Sequence, residues 1–143
     1  MSDAYRVRLA TIGQGPTARG AGTDEAVTVM VDRSVAAGGG GQGFSGGQLF
    51  YLSIAACLSN DLYREAATMG IELDSVEISV DGDFPARGAG STPIAVDVTV
   101  RSRAPEAAVR ELLAEVERVA EIPRAIREAP PIEIRATVMP PAS

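Results

Sequence analysis

Histidine, lysine and tryptophan are missing from these 143 residues, and cysteine occurs once. Without histidine there is no serine- or cysteine-histidine couple, no imidazole acid–base chemistry and none of the usual zinc ligand sets. Without lysine there is no Schiff-base chemistry. A single cysteine excludes an internal disulfide framework. Positive charge is scarce too: all 13 basic residues are arginine, against 19 acidic ones, for a net charge of −6. Such a balance lacks the positive field that phosphate backbones require, so no nucleic-acid partner is expected. Aromatic residues make up only 4% of the chain, which leaves aliphatic side chains and alanine to build the core. The longest apolar run is far too short to span a membrane, and no cationic segment leads into an apolar one at the N-terminus. These absences lead us to expect a cytoplasmic protein with no membrane association and no bound cofactor or metal.

What remains is ordinary globular material, 45% hydrophobic and 22% charged, and residues 1–143 are expected to form a single domain. The most informative stretch is residues 45–70. Ser45 suits a helix N-cap, Gln48 stands where its amide can reach back to the cap N–H, and Gly70 suits a left-handed C-terminal stop. Residues 49–58 are apolar nearly all round, interrupted only by Ser53. Further on, Asn60, Asp61, Arg64, Glu65 and Thr68 alternate with Leu62, Tyr63, Ala66 and Met69 in an amphipathic pattern. Cys57 lies near the apolar end, one turn before Asp61.

Elsewhere residues 5–11 alternate apolar and polar side chains, as a half-exposed strand does. Residues 26–31 form a second such strand, and the glycine-bearing segment between them suggests that the two pair antiparallel. A further short strand within that segment cannot be placed by pattern. Residues 72–81 and 94–100 alternate again and predict a hairpin with a long connection. Pro105 opens a second helix with an apolar stripe of Val109, Leu112, Leu113, Val116 and Val119. Pro123 should interrupt it before a short helical turn, and residues 132–138 read as a closing strand. The order predicts an α+β fold with largely antiparallel sheets around a long central helix. One small sheet cannot cover that helix, so a homodimer is expected.

Candidate sites are few. The glycine run at residues 38–41 lacks the Gly-Lys-Ser/Thr ending of a phosphate loop and reads as a flexible approach to the helix. Asp61 and Glu65 share a helix face, as many solvated pairs do. A lone cysteine in an apolar helix is most often a small core residue, and a carboxylate one turn away opposes its thiolate form.

The segment Ser45-Gly-Gly-Gln-Leu-Phe, followed by Ala-Ala-Cys57-Leu, resembles the osmotically inducible protein C and organic hydroperoxide resistance (OsmC/Ohr) family. The order of elements across the chain is similar as well. The resemblance implies an intertwined α+β homodimer with reactive cysteines at the subunit interface, and thiol-dependent reduction of organic hydroperoxides. It implies Cys57 as nucleophile, with Arg19 matching the family's catalytic arginine. This sequence departs from the pattern in three places. The second family cysteine falls near Ala120, the glutamate that steadies the arginine falls on Gly47, and the proline before it falls on Gly46. Two readings follow. One is a single-cysteine peroxidase of the oxidative stress response, regenerated by an external thiol reductant. The other is a non-catalytic member that binds a small apolar ligand at the dimer interface.

Overall fold

The computed structural model describes residues 4–22 and 26–142. Its elements run β1 (Arg8–Thr11), β2 (Ala18–Ala21), β3 (Thr28–Val31), a 3-10 turn (Val35–Ala37), α1 (Gly46–Met69), β4 (Ser75–Asp81), β5 (Ala95–Arg101), α2 (Glu106–Val119) and α3 (Glu121–Glu128). The strands form two antiparallel sheets, β1-β2-β3 and β4-β5. This is the α+β architecture expected from the sequence.

The long helix is bounded as its end residues dictate. The Ser45 hydroxyl accepts the Gln48 N–H at 3.2 Å, and the Gln48 side-chain oxygen accepts the Ser45 N–H at 2.9 Å. Two of the N–H groups that a helix start leaves unpaired are thereby satisfied. At the other end Gly70 takes φ 68°, where a Cβ would be strained, and its N–H closes on the carbonyls of Ala66 and Ala67.

One flank of α1 makes the core. The β4–β5 register sets Val76 opposite Val100 and Ile78 opposite Val98. Side chains two apart on a strand share a face, so all four point the same way. They pack on a cluster of Leu62 and Ala66 from α1 with Leu112 and Val116 from α2. On the outer face of α2, Arg110 pairs with Glu106 at 2.9 Å.

Several expectations are corrected. The strands foreseen at residues 5–11 and 26–31 do not pair with each other; both pair with β2, whose residues Ala-Arg-Gly-Ala show no alternation. Pro105 stands at the N-cap, immediately before α2. Pro123 does not interrupt a helix but occupies the first turn of α3, where a backbone N–H has no intrahelical partner to lose. The break comes earlier, at Ala120, whose ψ of 121° is extended. Residues 132–138 form no strand in this chain: their alternation is intact, yet Ile132, Ile134 and Val138 are all exposed. The first half of α1 is not enclosed either, since Leu52 and Ala56 face outward.

The glycine approach is pinned rather than loose. Asp32, only 2% exposed, accepts the Thr17 hydroxyl at 2.9 Å and the Gln42 N–H at 3.1 Å on one oxygen. Its other oxygen accepts the N–H groups of Arg33 at 2.7 Å and Gly40 at 3.3 Å. Beyond that cradle Phe44 joins the end of β3, donating its N–H to the Met30 carbonyl and accepting the Asp32 N–H, each at 3.0 Å. The start of α1 is therefore tied to the three-stranded sheet.

Three measurements test the core and the Asp32 cradle. Leu62→Ala, which empties a fully buried site, should lose about 2–5 kcal/mol; Ser45→Ala should lose about 0.5–2 kcal/mol through the cap. Denaturant unfolding that ranks them the other way would contradict the packing described. For Asp32, burial pushes the carboxyl up, but the hydrogen bonds from Thr17, Gln42, Arg33 and Gly40 outweigh it and hold the group below its ordinary 3.8. A depressed carboxylate contributes stability above its unfolded value and loses it as pH falls through the folded one. Stability should therefore drop as the pH is lowered from 3.8, and Asp32→Asn should flatten that drop. Amide exchange at Gly40 and Gln42 should quicken in the same variant.

Candidate functional site

Residues 53, 57, 61 and 64 follow one another at helical spacing along α1, which sets Cys57, Asp61 and Arg64 in a row. Cys57 is half-buried rather than enclosed in the core. Its thiol donates to Oδ2 of Asp61 at 3.8 Å. Asp61 is 6% exposed, and its Oδ1 is met by Arg64 Nη1 at 3.2 Å. Arg64 Nε also donates to Glu65 Oε1 at 3.1 Å. The hydrogen bond to Glu65 and the charge of Asp61 both push the Arg64 guanidinium above its ordinary value. Asp61 and Glu65 thus differ from a solvated pair: one arginine bridges them, and Asp61 is buried.

The neighbouring row on α1 faces a different space. Phe50, Ile54, Leu58 and Leu62 form one wall of a half-open cleft of about 870 Å³. Ile94, Val96 and Val98 line it from the β5 side, Leu113 and Val116 from α2, and Ile126 from α3. Ser91, Thr92, Glu117 and Arg127 supply its polar groups. Cys57 is not one of its walls, whereas Ala120, where the family's second cysteine falls, is. Above the helix start, Phe50, Tyr51 and Phe84 meet with ring centroids 5.1–5.9 Å apart. The Tyr51 and Ser91 hydroxyls share a hydrogen bond of 2.8 Å.

The other site residues expected from sequence are spread out. Arg19 is exposed on the central strand β2, opposite Ala10 and Met30. Among the described residues it has no side-chain hydrogen bond or ion pair, and it makes none with Cys57. Gly47 lies in the first turn of α1 near Phe84; a Cβ there would stand 3.6 Å from that ring, an ordinary contact, so space does not demand glycine. No group of three or more acidic or cysteine ligands that could hold a metal occurs among the described residues. Among them, too, no helix is long and apolar enough to cross a membrane.

A family model described as OsmC-like protein matches residues 39–135. The chain belongs to the OsmC-like family. An OsmC-like protein from Mycoplasma pneumoniae superposes with a TM-score of 0.73 at 16% identity, over 89% of each chain. An organic hydroperoxide resistance protein from Legionella pneumophila gives 0.63 at 19% identity, over 87% of this chain and 90% of that one. The organic hydroperoxide resistance protein OhrB of Bacillus subtilis gives 0.59 at 21%, over 87% and 91%. At these identities the likeness establishes the fold. No curated protein sequence matches the chain.

The sequence places Cys57 one turn before Asp61, as the helix does, but two features of this OsmC-like chain escape it. The Asp61–Arg64 pair was readable as an i,i+3 spacing, though not the burial that sets it apart. The cleft has no local signal, because its walls come from four elements far apart in the chain.

Proposed function

We propose that this OsmC-like chain is a single-cysteine thiol peroxidase that reduces organic hydroperoxides and acts as a homodimer. The observation that carries the reading is a half-exposed cysteine at the motif position of a helix whose family and fold are those described above. The names of the organic hydroperoxide resistance neighbours support the substrate class. In the reaction the Cys57 thiolate attacks the distal peroxide oxygen. The S–O bond forms as the O–O bond breaks, and the departing alkoxide takes a proton from solvent to leave as an alcohol. An external thiol then condenses with the sulfenic acid, releasing water, and a second thiol frees Cys57 from the mixed disulfide.

The homodimer reading is supported by the apolar surface that one chain leaves bare. Leu9 and Val29 on the first sheet, Leu52 on α1, and Ile132 and Ile134 beyond α3 are all exposed. A second copy would cover them. Arg19, which has no side-chain hydrogen bond or ion pair among the described residues, is the cation proposed to reach the sulfur of a second copy, where it would favour the thiolate and the leaving alkoxide. Under organic hydroperoxide, intact mass should show Cys57 gaining one oxygen and a dimedone adduct. Cys57→Ser should abolish both, and Arg19→Ala should slow the first. Sedimentation at low micromolar concentration should give a dimer. An unmodified Cys57 under excess hydroperoxide, or a well-folded monomer, would sink the corresponding part.

The cleft favours a second reading, a non-catalytic member that holds a small apolar ligand. Its walls are mostly apolar, and Cys57 is not among them. An apolar fluorescent dye should then bind wild type, and a bulky Val98→Trp substitution should weaken it. Dye binding together with an inert Cys57 would favour this reading over the first.

A further inference from the structure

One tyrosine holds both arms of the loop that joins β4 to β5. The first strand stops at Asp81, the second starts at Ala95, and every residue from 81 to 91 is exposed. Burial therefore does little to hold this segment. Its arms are joined at a neck: the Thr92 N–H donates to the Asp83 carbonyl at 2.8 Å, and the Asp83 N–H donates to the Thr92 hydroxyl at 2.9 Å. At the tip the Ala89 N–H reaches the Ala86 carbonyl at 3.0 Å, in a turn that includes Gly88 at φ 79°. Residues 83–92 are thus a compact Ω-like strap with hydrogen bonds of its own.

Tyr51 of α1 fastens this strap to the helix. Its ring lies against the first arm, where a Cβ on Gly82 would stand 2.5 Å from a ring carbon, so a side chain there would displace the ring. Its hydroxyl shares the 2.8 Å hydrogen bond with the Ser91 hydroxyl on the second arm. Phe84 adds a third hold, its ring 5.6 Å from that of Tyr51 and 5.9 Å from that of Phe50. The second arm is also a wall: Ser91, Thr92, Pro93 and Ile94 line the cleft, and so does Phe50. Tyr51 does not border the cleft, so it acts on that space through the strap. Because the neck ties Thr92 to Asp83, a strap lifted off Tyr51 carries part of the wall with it.

We propose that residues 83–92 are a gate on the cleft with Tyr51 as its clasp, so that a ligand enters and leaves when the Tyr51–Ser91 bond opens and the strap lifts from Phe50. This rests on the second reading above, in which the cleft holds a small apolar ligand. An exposed hydroxyl pair suits a clasp, since water can replace either partner at little net cost and the bond reopens readily. The aromatic contacts draw the strap back, because lifting it wets the facing rings of Phe50 and Phe84. Loosening a clasp that does not itself touch the ligand changes how fast the ligand exchanges, and leaves how tightly it is held nearly unchanged.

The test is stopped-flow exchange of the neutral fluorescent dye phenylnaphthylamine. Tyr51→Phe, which deletes only the hydroxyl, should raise both the association and the dissociation rate by about two- to tenfold, the range one hydrogen bond supports, and leave Kd within about twofold. Ser91→Ala, which removes the other half of the bond, should match it. Gly82→Ala, whose methyl displaces the ring, should exceed both. Unchanged rates in these variants would overturn the gate. So would faster dissociation with association unchanged, because Tyr51 would then only support the wall. The strap itself is read separately, from nuclear Overhauser contacts between the Phe84 and Phe50 rings, which should weaken in Tyr51→Phe and in Gly82→Ala. If those contacts weaken while the dye binds no form of the protein, the ligand reading of the cleft fails and the clasp stands. If they keep their wild-type strength, the clasp fails whatever the dye does.

Discussion

A helix of 24 residues that is apolar nearly all round in its first half has to be covered, and the surface available in one chain covers only part of it. The buried contacts lie in its second half, where Leu62 and Ala66 meet α2 and the β4–β5 hairpin. Toward the N-terminal half the covering thins: Ile54 is buried, but Leu52 and Ala56 are bare and Phe50 looks into the cleft. The three-stranded sheet does not make up the difference. Its side chains are mostly exposed, with Ala18 its one buried residue, and its tie to α1 runs through the backbone at Phe44 and the Asp32 cradle. Removing apolar area of this kind from water is favourable. That constraint explains why the proposed function includes a second copy.

Legibility in the sequence followed the range of the interaction. The bounds of α1 were readable because a capping box and a left-handed glycine act within a few residues. The hairpin β4–β5 was readable because both strands alternate and only one face is buried. Ala18–Ala21 was not, because Ala-Arg-Gly-Ala has no strand propensity of its own and is held by a neighbour on each side. Residues 132–138 show the opposite failure. Their alternation fixes which side chains share a face, but pairing needs another strand's hydrogen bonds, and period says nothing of where that strand is. The glycine run misled in a third way: glycine reports freedom in the unfolded chain, and a buried carboxylate four hydrogen bonds deep removes that freedom in the folded one.

The candidate site was legible in its chemistry and not in its geometry. Cys57 and Asp61 are neighbours by helical arithmetic, and Arg64 follows three residues on. Burial separates this row from an ordinary charged face, and burial is set by α2 and β4, which lie later in the chain. The cleft is further from view still, since Ile54, Val98, Val116 and Ile126 share no local pattern.

The candidate site and the uncovered surface meet on the same stretch of α1. Among the described residues the sulfur contacts the Asp61 carboxylate, Arg19 lies on β2, and Leu52 and Ala56 in the apolar half of α1 stand open. The exposed half of the helix needs surface delivered to its flank. Of the described elements, α2 and the β4–β5 hairpin pack on Leu62 and Ala66 in the other half of α1. A second copy that covered Leu52 and Ala56, as proposed, would therefore lie beside Cys57.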